Sequence, residues 1–102
     1  MSTDKREAGV RLLTLSDCDY YMWLKSELDG EGISYENIDA DEFSDFADSV
    51  EYKFKTDKYP IVFIEKENEI TAIVPETELE TSKTLRTFNT IPELIGIIKS
   101  YI

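Results

Sequence analysis

The chemistry open to this chain rests on one sulfur. Cys18 is the only cysteine and there is no histidine, which removes Ser–His and Cys–His catalytic pairs and the commonest metal ligand. Cys18 stands between the apolar run Val10–Leu15 and the stretch Tyr20-Tyr21-Met22-Trp23-Leu24, so it falls where a strand gives way to a helix. A thiol in the first turn of a helix faces unpaired backbone N–H groups and the positive end of the helix dipole, and both favour thiolate. Asp17 and Asp19 flank it and act in the opposite direction, raising the cost of a further negative charge. A thiolate there could attack disulfides. The alternative is a small buried apolar side chain with no chemistry, a common fate of free cysteine.

The elements that must position this sulfur can be read along the chain. Residues 1–9 carry charges and a glycine without periodicity and form a loosely held lead-in to a single domain over 10–102. Val10–Leu15 is nearly continuous apolar sequence, as expected of a strand covered on both faces. Ser16 and Asp17 offer caps for a helix from about Asp19 to Asp29, stopped by Gly30 or Gly32. Ile33–Ile38 alternates like a second strand, and a strand–helix–strand order implies a parallel right-handed crossover. Phe43, Phe46, Ala47, Val50 and Phe54 form one helical stripe, with Asp39 or Asp41 as its cap. Pro60 ends a break, and Ile61–Ile64 and Ile70–Val74 flank the polar turn Glu65–Glu69 as a hairpin. A loop follows, Leu85–Phe88 offers a short edge strand, and Thr90-Ile91-Pro92-Glu93 fits a capping box opening a last helix. The order is β-α-β-α-β-β-α, an α/β chain with a central mixed four-stranded sheet flanked by helices.

A cysteine at the first strand–helix junction and an X-Pro ahead of a β-hairpin, in this element order, resemble the glutaredoxin branch of the thioredoxin fold. Cys18-Asp19-Tyr20-Tyr21 aligns with that family's Cys-Pro-Tyr-Cys or Cys-Gly-Phe-Ser motif. The resemblance implies that Cys18 is the nucleophile and Tyr20 the motif aromatic. Tyr21 stands where the second cysteine would be, which leaves only a single-thiol route with external glutathione as co-substrate. Lys58-Tyr59-Pro60 aligns with the family's Thr-Val-Pro, which implies a cis Pro60 and a Tyr59 backbone that pairs with an extended thiol substrate. For X-Pro bonds the trans preference is only about 0.5–1 kcal/mol. The family's Gly-Gly turn after the hairpin is replaced here by the acidic segment 76–90. Sharing of an iron–sulfur cluster between two chains is a further single-thiol chemistry, but it needs four thiolate ligands, and Cys-Asp-Tyr-Tyr is not its motif. No metal is expected.

Composition sets the remaining bounds. The chain has 102 residues and a net charge of −11, from 22 acidic and 11 basic residues. Acids scattered over such a surface favour solubility and repel phosphate backbones, which weighs against nucleic acid and anionic membranes as partners. No stretch approaches the roughly 20 apolar residues of a membrane span and the first residues lack a signal-peptide core, so a cytoplasmic location is expected; the chain is also expected to be a monomer. Two functional readings stand. In one, Cys18 exchanges disulfides with glutathione or a protein thiol, with Tyr20, Tyr21, Tyr59 and Pro60 binding the substrate. In the other, the same aromatics anchor a basic protein partner on a non-catalytic module with an acidic surface. Trp23 and Leu24 are expected in the core under either.

Overall fold

The computed structural model describes residues 9–15, 19–75 and 77–101. Cys18, with Ser16 and Asp17, lies outside the described residues, as does the lead-in up to residue 8. Five strands, β1 (Gly9–Thr14), β2 (Glu36–Asp39), β3 (Ile61–Lys66), β4 (Glu69–Pro75) and β5 (Leu85–Phe88), and three helices, α1 (Asp19–Gly30), α2 (Ser44–Phe54) and α3 (Ile91–Lys99), make up the fold. The strands form one mixed sheet in the order β2-β1-β3-β4-β5. β1 runs parallel to β2 and antiparallel to β3, β3 antiparallel to β4, and β4 parallel to β5.

The sheet therefore has five strands, not the four expected. β5 is only four residues long, and Phe88 is its one buried side chain. A reciprocal pair of backbone hydrogen bonds between Ser82 and Leu85 closes the turn before it, and a parallel ladder with β4, begun by the Ala72 N–H to the Thr84 carbonyl, lays it beside that strand. A strand this short draws its stability from its neighbour, so local sequence announces it weakly.

Side-chain alternation explains the apolar runs. In β1, Val10 and Leu12 face α1 and α3 while Leu13 faces α2; in β3, Val62 and Ile64 take the first side and Ile61 and Phe63 the second. Helices lie on both faces, so most positions of these strands are apolar, while Arg11, on the α2 side of β1, is exposed. Asn68 and Glu67 adopt positive φ between Lys66 and its partner Glu69, the two-residue turn that suits the twist of a hairpin.

Gly32 stops α1 as the sequence allows, and the start of β2, the cap of α2 and the register of the α3 cap depart from expectation for identifiable reasons. Gly32, with φ of +71°, is the stop for α1: its N–H bonds to the Asp29 carbonyl and the Ile33 N–H to the Leu28 carbonyl, a Schellman closure. Ile33 is consumed by that closure and β2 starts only at Glu36. The carboxylates proposed as caps of α2 do not cap it. Asp39 instead accepts the Asp41 N–H at 2.9 Å, and Phe43, with no capping side chain, precedes the helix. Leu24 is fully buried but Trp23 is 44% exposed: Leu24 and Leu28 aim α1 at the sheet, and a helix can bury only one stripe. At α3 the capping box forms with a shift. Thr90 Oγ1 accepts the Glu93 N–H at 3.2 Å, while Glu93 reaches back to the N–H of Asn89.

Candidate functional site

The register of β1 on β3 sets the site. Leu13 pairs with Ile61 in an antiparallel ladder, so the end of β1 and the approach to β3 run side by side past that pair. Leu15 accordingly lines one cleft with Tyr59 and Pro60, and Tyr20, from the first turn of α1, lines it too. The cleft encloses about 390 Å³, within the roughly 300–1,000 Å³ of small-ligand sites. Pro75 from β4 and Phe88, Asn89 and Ile91 from the β5–α3 junction complete the wall, with Asp57 and Lys58 at its polar side.

The approach from α2 to β3 is held by local chemistry. Lys55 adopts a left-handed conformation that ends α2, and the Thr56 N–H still bonds to the Glu51 carbonyl. Thr56 then turns the chain by accepting the Lys58 N–H on its hydroxyl at 3.2 Å. The Tyr59–Pro60 peptide is cis. Tyr59 packs against the α2-side core and donates its hydroxyl to Glu51 Oε2 at 2.5 Å. Burial above all, and then the neighbouring Glu51 carboxylate, hold that phenol well above its ordinary pKa. With its side chain turned toward α2, Tyr59 offers the cleft its main chain. Among the described residues neither its N–H nor its carbonyl takes a hydrogen-bond partner.

Of the residues singled out by sequence, the structure brings Tyr20, Tyr59 and Pro60 to one cleft. Tyr21 is not among its lining residues and packs against the α1/α3 core; one position further along a helix turns a side chain by about 100°. Cys18 lies outside the described residues; Leu15 and Tyr20, on either side of it in the chain, both line the cleft. Asp57, Lys58 and Asn89 were not identified from sequence. Lys58 had a legible signal in its position two residues before the aligned proline. Asn89 had none, because only the pairing of β5 with β4 carries it there.

Among the described residues no group of three acidic, cysteine or histidine side chains converges as a metal site would, and no helix is long and apolar enough to cross a membrane. The chain matches no protein-family model and no curated protein.

Proposed function

We propose that the chain is a single-thiol, glutaredoxin-like oxidoreductase built on a thioredoxin-like arrangement, acting on glutathione mixed disulfides in a reducing compartment. The observation that carries this reading is the cleft where the chain on both sides of Cys18 meets Tyr59 and Pro60. Two further features support it. The main chain of Tyr59, unpaired among the described residues, can bond to an extended peptide-like thiol, and Lys58 offers a cation for a glutathione carboxylate.

In the proposed cycle the Cys18 thiolate attacks the glutathione sulfur of a mixed disulfide. The substrate thiol leaves as thiolate and takes a proton from solvent, and glutathione stays joined to Cys18. A second glutathione thiolate attacks that sulfur pair, releasing oxidised glutathione and regenerating the Cys18 thiolate. Exchange of this kind runs through thiolate attack and a mixed disulfide at every step. Tyr21, in place of a resolving cysteine, restricts the chain to this route.

The test is turnover of a glutathionylated peptide in the presence of reduced glutathione, together with the pH dependence of Cys18 alkylation. Turnover by the native chain, its loss in Cys18→Ser with an unchanged circular dichroism spectrum, and alkylation titrating below about pH 8.5 support the enzyme. Lys58→Glu should raise KM for glutathione and leave kcat nearly unchanged. An ordinary, unreactive thiol with no turnover overturns it.

One observation favours the second reading, a module that binds a basic protein. Tyr20, Met22 and Trp23 are 56%, 63% and 44% exposed, and Tyr20 and Trp23 share a face of α1 beside the cleft. Aromatic anchors of this kind dominate protein interfaces. The inert-thiol outcome would select it.

A further inference from the structure

The α2 side of the sheet holds a second cleft, remote from the one described above in the residues that form it. It encloses about 530 Å³ between α2 and strands β1, β3 and β4. Its floor is apolar: Phe63 and Ala72 come from the strands, and Phe46, Val50 and Phe54 from the helix. The rings of Phe46 and Phe54 stand 6.2 and 6.3 Å from that of Phe63, both tilted by 51°, and Phe46 is 44% exposed. A helix normally turns such a stripe wholly inward. Here the stripe lines an open space.

The charge at this cleft runs against that of the molecule. In a chain with twice as many acids as bases, the charged lining residues are Arg11 and Lys53, with no acid among them. They are not equivalent. Arg11 is tied to Glu36 at 3.2 Å and Glu65 at 3.5 Å. Lys53 forms no ion pair among the described residues, and its ammonium lies 5.6 Å from the centre of the Phe54 ring, a cation–π placement. The lysine therefore stands over the aromatic wall of the cleft with no described carboxylate within ion-pair distance.

We infer that this cleft binds a free long-chain carboxylate, its apolar chain against Phe46, Phe54 and Phe63 and its carboxylate on Lys53. The volume suits one small ligand, and an apolar lining with a single placed charge is how such sites fix orientation. Nothing in this inference depends on thiol exchange, since no residue of the first cleft takes part.

The test is isothermal titration of the full chain with dodecanoate below its micelle concentration, run beside dodecyltrimethylammonium, which carries the same tail on a cation. Dodecanoate should bind at one site and the cationic amphiphile should not. Lys53→Glu should weaken dodecanoate by about tenfold or more, the scale of a lost charge-assisted contact. Ser49→Trp, from an exposed position of α2 on the cleft rim, should block binding without removing a buried side chain. Both variants should keep any thiol turnover of the native chain. Equal binding of the two amphiphiles, or undiminished binding by Lys53→Glu, would overturn the carboxylate assignment. So would absence of binding together with self-association through this face in sedimentation, which would make a second copy its occupant.

Discussion

The two faces of the sheet are built from similar strands and finished differently. On one, α1 and α3 bring Leu24, Leu28, Leu94, Ile95 and Ile98 against Val10, Leu12, Val62, Ile64 and Ile73. Long aliphatic side chains from two helices fill that layer. On the other, α2 works alone, and the buried side chains it and its approach supply are Ala47, Val50 and Ala40. One helix cannot cover five strands, and alanines leave room, so the larger cleft opens there with three phenylalanines around it. The difference teaches where this chain has stability and where it has space. The first face is a core in the ordinary sense, while the second joins a smaller core around Leu13, Ile61 and Val74 to an open cleft and borders the Tyr59 approach to the other cleft.

Truncation on the filled face should break the comparison most sharply. Leu28→Ala or Leu94→Ala, each at a fully buried side chain, should cost about 2–5 kcal/mol in urea unfolding, as buried leucine truncations do. A loss below about 1 kcal/mol would mean that this layer is no better packed than the α2 side.

The tie between Tyr59 and Glu51 comes next, since it fastens α2 to the approach to β3. Tyr59→Phe should cost about 1.5 kcal/mol at neutral pH, the scale of a hydrogen bond to a charged acceptor. The sign with pH follows from the raised phenol pKa. The folded chain holds this proton more tightly than the unfolded chain, so the contribution is complete below the ordinary tyrosine pKa of about 10 and is lost as pH rises above it. Urea midpoints of the native chain should therefore fall more steeply above pH 10 than those of Tyr59→Phe, and parallel curves would refute the tie.

Phe46→Ala should cost about 1 kcal/mol in the same assay, because its ring is already near half-exposed and only part of the 1.5–3 kcal/mol of a fully buried ring is at stake. The smallest effect should have the opposite sign. Ala72→Val adds volume where β4 borders the open cleft, on a residue type that suits strands, and should stabilise by a few tenths of a kcal/mol while weakening dodecanoate. Destabilisation by more than about 1 kcal/mol would mean that Ala72 is already fully packed.

Much of this architecture is legible without coordinates because the forces behind it are local or periodic. The apolar runs of β1, β3 and β4, the span of α1, and the Thr90 cap of α3 follow from burial patterns and end-of-helix chemistry confined to a few neighbouring residues. The α2 stripe from Phe43 to Phe54 is equally plain as a period. That period says nothing about how completely the stripe is covered. The exposure of Phe43, Phe46 and Trp23 was not legible for this reason.

At the candidate site the division is the same. Sequence by itself determined that the chain carries one thiol and no histidine, that Tyr20 follows that thiol closely, and that a proline opens β3, because these are matters of residue type and chain position. Tertiary structure alone decided that Leu15, Tyr20, Tyr59 and Pro60 border one cleft, that Tyr21 does not, and that Asn89 joins them. It also decided that Lys53 stands over an apolar hollow on the far face. The physical reason is that ladder register and the number of helices over each face come from pairings between distant parts of the chain, and no single stretch of residues contains them.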